Sequence, residues 1–149
     1  MLFAVGEDLH AVATARLRRV DQRYTSGRRV LVEALVEAGR PVTTAELVAS
    51  RRELPQSTTY RNLAVLEQAG VVRRVLGTDE LARFEVAEDL TGHHHHLVCV
   101  SCGAVEDFEP PRRVEQTLAD AVGRLRTRTG FRAEAHRLDL LGTCRSCAE

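Results

Sequence analysis

Apolar residues return at helical spacing through the first third of the chain. Leu9, Val12, Ala13, Leu17 and Val20 share a face, which predicts an amphipathic helix over residues 7–21. Residues 22–27 (QRYTSG) read as a turn, and Leu31, Ala34, Leu35 and Ala38 predict a second helix over residues 28–38, with Gly39 placed to stop it. Thr43-Thr44-Ala45-Glu46 is a capping-box pattern that starts a short third helix. A fourth helix is predicted over residues 57–69, with Leu63 and Leu66 inward and Gly70 as its stop. Residues 71–76 and 81–87 are strand-like runs around Gly77-Thr78-Asp79-Glu80, a hairpin with a turn-prone tip. Helices followed by a hairpin are the outline of a winged helix-turn-helix.

The second half changes character. Residues 97–100 and 104–105 read as strands, and Pro110-Pro111 precedes a helix with an apolar face of Val114, Leu118, Val122 and Leu125. Residues 131–141 read as mostly strand. The expected fold class is α+β: a winged helix-turn-helix unit over residues 1–87, a hinge at 88–92 (EDLTG), and a small α/β unit over 93–149.

Composition adds bounds. The 149 residues, 44% hydrophobic and 28% charged, suit a globular protein with one or two small domains. No apolar run approaches the roughly 18 to 20 residues of a membrane span, and the opening MLFAVGEDLHAVATARL lacks the basic start of an export signal. The expectation is a cytoplasmic protein with no membrane partner. All 21 basic residues are Arg. Residues 1–83 hold thirteen of them against ten acidic residues, and residues 84–149 hold eight against eleven. The net +3 of the first part mildly favours an anion-binding N-terminal half.

The four cysteines form two Cys-x-x-Cys pairs, Cys99/Cys102 and Cys144/Cys147. Each spacing lets two thiolates from one tight turn reach an ion at about 2.3 Å, and two turns complete a tetrahedron. Two disulfides or a redox pair would use the same residues, but without export features a structural zinc site is favoured. With four thiolates it is closed and non-catalytic.

The run His93-His94-His95-His96 leads directly into the first pair. An expression tag or a solvated loop would also give such a run. In extended chain, however, side chains alternate faces. His94 and His96 then point one way and His93 and His95 the other, so one run can serve two metal sites. Glu85, Glu88 and Asp89 are candidate partners of the first pair. Glu115 and His136 are candidates for the second, although a lone strand His is often only structural. Imidazole with carboxylate suits Zn, Fe(II), Mn, Co or Ni without selecting among them.

These residues resemble the ferric uptake regulator (Fur) superfamily. The matching series runs in order through Thr59-Tyr60-Arg61-Asn62-Leu63, Ala69-Gly70-Val71-Val72, Arg83-Phe84-Glu85 and His94-His95-His96-Leu97-Val98-Cys99-x-x-Cys102-Gly103. It ends with His136-Arg137-Leu138 and Gly142-x-Cys144-x-x-Cys147. The resemblance implies a homodimeric, metal-dependent repressor of metal-homeostasis genes, of the iron or zinc uptake type, or a peroxide-sensing repressor of the same fold. It implies a hinge regulatory site at Glu85, His94 and His96 holding Zn2+ or Fe2+. A second site follows at His93, His95, Glu115 and His136, and structural Zn2+ at Cys99, Cys102, Cys144 and Cys147. Pro41-Val42, Arg73 and Ala87 stand where relatives carry further ligands, leaving the fourth hinge ligand open among Glu88, Asp89 and His10.

The partner implied is a double-stranded DNA operator, with no small-molecule substrate. The fourth helix would enter the major groove, presenting Gln56, Ser57, Thr58, Thr59, Tyr60 and Arg61. Arg16, Arg18, Arg19, Arg23, Arg73 and Arg74 are candidates for phosphate contacts. A metal-dependent hydrolase lacks support, with no HExxH motif and no evident nucleophile–base pair. A metal buffer would leave the helix-turn-helix pattern unexplained.

Overall fold

The computed structural model describes residues 7–149; residues 1–6, the start of the stretch whose composition argues against an export signal, lie outside it. Helix α1 (Glu7–Arg19) buries Leu9, Ala13 and Leu17, four residues apart on one stripe. Helix α2 (Ser26–Ala38) starts two residues earlier than its apolar pattern suggests, because the Thr25 side chain accepts the Arg28 N–H and caps it. It ends at Gly39, whose φ of +58° is the left-handed turn that glycine adopts without strain. After the short strand β1 (Val42–Thr43) comes α3 (Thr44–Ser50), opened by the reciprocal Thr43–Glu46 capping box. Helix α4 (Gln56–Gln68) turns Thr59, Leu63 and Leu66 inward. Strands β2 (Val72–Leu76) and β3 (Ala82–Val86) form the wing, in an antiparallel sheet ordered β1-β3-β2. One continuous core links all of these, from Leu9 through Leu31, Leu47 and Leu66 to Val86. The unit is a winged helix.

The expected linker is a single helical turn, α5 (Glu88–Thr91). A second sheet follows, ordered β5-β4-β6, from β4 (His95–Cys99), β5 (Val105–Phe108) and β6 (Asp139–Gly142). Helix α6 (Arg112–Thr129) makes the crossover that lets β6 run parallel to β4, and α7 (Arg145–Ala148) closes the chain. The strand expected over residues 131–141 is corrected to its last few residues. Its partner β4 begins at His95, and the His96↔Asp139 register leaves nothing upstream to pair with. The Leu138 N–H instead donates to the His95 ring at 3.3 Å.

The two sheets meet at the tip of the wing. Val75 of β2 packs with Val98 and Val105 in a small second core. The Thr78 hydroxyl donates to the Cys99 carbonyl at 2.8 Å. Gly103 lies so close that a Cβ there would come within 2.2 Å of Asp79 Cγ. Asp79 is held by a two-pronged ion pair with Arg83, at 2.7 and 2.8 Å.

Candidate metal centres and recognition helix

The parallel pairing of β6 with β4 sets Cys99 opposite Gly142, so the chain leaving β6 passes Cys144 beside Cys99. Sulfur atoms of Cys99, Cys102, Cys144 and Cys147 all lie within 4.8 Å of one another. The Cys102 and Cys144 sulfurs are 3.8 Å apart, far beyond a disulfide bond. Four thiolates placed tetrahedrally at about 2.3 Å from zinc would stand about 3.8 Å from each other, which is this spacing. The Cys144 N–H donates to Cys99 Sγ at 3.3 Å. Backbone amides of Cys144 and Cys102 thereby draw the Cys99 thiol down to about 6. Hydrogen bonding within the sulfur cluster, first from Cys144, pushes Cys147 up to about 12. Four thiolates this close need a cation between them, and the donor set fits zinc.

The histidine run alternates as its extended chain requires. Glu85 of β3, His94, His96 and Asp107 of β5 offer ligand atoms within 4.8 Å of one another. His94 Nε2 is 3.1 Å from Glu85 Oε2, and His96 Nε2 is 3.3 Å from Glu85 Oε1. The Asp107 oxygens lie 3.7 Å from both Nε2 atoms. His94 Nδ1 donates to the Gly92 carbonyl at 2.9 Å, which fixes the ring so that Nε2 faces the cluster. Burial pushes Glu85 up, but hydrogen bonds from His94, His96 and Arg73 outweigh it and hold its carboxyl below the usual range. The Glu85 hydrogen bond raises His94 to about 9. Desolvation raises Asp107, whose buried Oδ1 has no hydrogen-bond partner among the described residues. A buried acceptor aimed at two imidazoles fits a cation there.

Asp107 is the residue the sequence reading missed. Antiparallel pairing through the Cys99–Gly103 turn sets Val98 against Val105 and His96 against Asp107. Extending that hairpin outward from the first cysteine pair would have found it. None of the other proposed fourth ligands belongs to this group. His10 is 2.8 Å from the Tyr24 hydroxyl and 3.6 Å from Glu33. Asp89 pairs with Arg16. Glu88 sits beside the cluster, bound to Arg73 and in close contact with His93 Nδ1.

On the opposite face His93, His95, Glu115 and His136 form the third group. Glu115, in the first turn of α6, is 2.5 Å from His95 Nε2, 3.5 Å from His93 Nε2 and 3.2 Å from His136 Nε2. His95 Nδ1 accepts the Leu138 amide, so the neutral ring carries its proton on Nε2, toward Glu115.

On α4, Ser57, Thr58, Tyr60 and Arg61 are exposed, Tyr60 by 56%. Thr59 is a correction. It is 1% exposed and its hydroxyl donates to the Pro55 carbonyl at 2.9 Å, so it packs the helix and presents nothing to a groove. Three of the candidate phosphate-binding arginines have internal partners: Arg16 with Asp89, Arg73 with Glu85 and Glu88, and Arg74 with Glu67.

Known proteins share this arrangement of sequence and fold. The peroxide operon regulator of Bacillus subtilis (strain 168) is 30% identical over 143 residues, 92% of each chain. The solved Helicobacter pylori ferric uptake regulator shares the fold, with a TM-score of 0.77 at 20% identity over 100% of this chain and 97% of that one. The Pseudomonas aeruginosa ferric uptake regulator, solved with manganese, is 28% identical with a TM-score of 0.67, over 90% and 98% of the two chains. The profile of the ferric uptake regulator family matches residues 19–141, and the chain belongs to that family.

Proposed function

We propose that this protein is a metal-dependent, DNA-binding transcriptional repressor controlling metal homeostasis, acting in the cytoplasm as a homodimer. Residues 1–87 form its DNA-binding unit, 88–92 its hinge and 93–149 its dimerisation unit. The observation that carries this reading is the membership of the hinge cluster. Glu85 comes from the wing, whereas His94, His96 and Asp107 come from the second sheet and its approach. A bound divalent ion such as Zn2+ or Fe2+ supplies a Lewis-acid centre that these four groups can share. Glu85 then fixes the wing to the second sheet, and a dimer so fixed holds its two recognition helices at one spacing. Ser57, Thr58, Tyr60 and Arg61 of α4 face the operator. Cys99, Cys102, Cys144 and Cys147 hold structural Zn2+, and His93, Glu115 and His136, with His95 against Glu115, form the second site.

The homodimer has a surface suited to it. Val114 and Leu125 on α6, with Leu140 and Leu141 on β6, are exposed apolar side chains that a second copy would cover. Replacing His94 and His96 by Ala is expected to abolish the metal dependence of operator binding, about 5- to 150-fold, while the dimer stays folded. Operator titrations with and without Zn2+, Fe2+ and Mn2+ measure this, and a double variant that still responds to metal rules the hinge switch out.

A peroxide-responsive repressor is the second reading, favoured by the 30% identity to the Bacillus subtilis peroxide operon regulator. Its mark would be a gain of one oxygen on His94 or His96 when the Fe2+-loaded protein meets hydrogen peroxide. Peptide mass spectrometry showing unmodified histidines would leave the metal-responsive reading alone.

A further inference from the structure

Arg73 of β2 places a permanent positive charge inside the hinge cluster. Its Nε donates to Glu85, its Nη1 donates to Glu88 at 2.7 Å, and its Nη2 stands 3.4 Å from His94 Nε2. Glu85 and His94 Nε2 belong to the ligand cluster, while Glu88 does not. Arginine has donors only and keeps its charge at any accessible pH, so it cannot serve as a ligand. It can only hold the Glu85 carboxylate that an incoming cation needs, and set its own charge against the His94 Nε2 position.

We propose that Arg73 is a tethered competitor of the hinge ion, engaging Glu85 beside His94 while the hinge is empty and giving the carboxylate up when a divalent ion enters. The proposal rests on the reading of the hinge cluster as a metal site. Its geometry provides a retreat for the displaced side chain. Glu88 already binds one end of the guanidinium and lies outside the cluster, so Arg73 can leave Glu85 and keep an ion-pair partner. The exchange replaces one cation by another at a nearly buried carboxylate, so Glu85 is never left unpaired (its side chain is 6% exposed). Arg73 would therefore set the metal concentration at which the switch responds. A purely structural Arg73 makes the opposite prediction: its loss would disorganise Glu85 and weaken metal binding.

The test uses the full-length dimer with zinc at the four cysteines, titrated with Co2+ and followed by visible absorption. His94→Ala identifies the band that belongs to the hinge. Arg73→Met keeps the aliphatic stem and removes the charge, and is expected to bind Co2+ at the hinge at least about tenfold tighter. Arg73→Lys keeps the charge and should stay within about threefold of the wild type. Arg73→Gln, neutral but still a donor, repeats the comparison if the Met variant folds poorly. If the wild type binds Co2+ at the hinge and the neutral variants bind no tighter, the competitor role is overturned and the hinge reading stands. If neither wild type nor neutral variants bind there, both fall. Binding by the neutral variants alone is the strongest form of the expected result.

Discussion

The two halves of the chain hold themselves together by different means. The winged helix has a continuous core from α1 to the wing, in which Leu17, Leu31, Val32 and Leu66 are fully buried. In the second half the small core is Val98 and Val105 with Val75 borrowed from the wing, and no residue beyond Val105 is buried. In place of apolar contact this half gathers three groups of metal-binding side chains. The 18-residue helix α6 has no fully buried residue, so it draws little support from the core of its own protomer. The first half folds by expelling water from its own side chains. The second borrows Val75 from the wing tip, and on the proposed function it would also rely on bound ions and a second copy.

That contrast breaks most visibly at the cysteines. Structural zinc held by thiolates contributes on the order of 10 to 16 kcal/mol of apparent binding energy at neutral pH. Cys99→Ala is therefore expected to lose zinc and to unfold or dissociate the second half while α1–α4 persist. Metal content and residue-resolved amide spectra check it, and a zinc-free variant with its second sheet intact would contradict the contrast. Next in size is Leu66→Ala, at a position 0% exposed in the middle of the first core. Truncating a fully buried Leu costs about 3 kcal/mol. Chemical denaturation should show that loss with zinc content unchanged, and a loss under about 1 kcal/mol would mean that this core is not the main support of its half.

The same contrast explains what the sequence made legible. Helices α1–α4 and the wing follow from local signals, because their apolar spacing, the Thr43–Glu46 box and Gly39 all act within one element. The alternation of His93 to His96 followed from strand geometry alone. What escaped depended on pairing between distant segments. Asp107 enters the hinge only through the β4–β5 register, and residues 131–138 stay irregular because β4 has no length left to pair them. As a hydroxyl near a helix start, Thr59 looks available to a groove. The pitch of α4 turns it inward instead, against the Pro55 carbonyl. Pairing between Arg16 of α1 and Asp89 of α5 likewise leaves no local trace in the sequence.

The smallest predicted effect tests the hinge, where the two kinds of support meet. In the metal-free protein the Glu85 hydrogen bond raises His94 from 6.5 to about 9. A group whose folded pKa is raised adds stability that is fully present below its unfolded value and is lost as pH climbs through the folded one. Metal-free closure should therefore weaken between about pH 6.5 and 9. Glu85, held below the usual carboxylate range, adds stability that disappears only under acid conditions, below its ordinary value of 4.5. Metal binding runs the other way, since the proton on His94 Nε2 must leave before that atom can act as a ligand. Hinge affinity for Co2+ should rise over the same window by up to about tenfold per pH unit. Melting temperature with zinc at the cysteines and an empty hinge, and Co2+ affinity, each measured at pH 6 and pH 8.5, should move in opposite directions. His94→Gln should flatten both slopes while the four-cysteine site keeps its zinc. If the two quantities instead fall together as pH rises, His94 is not the group that exchanges a proton for the ion.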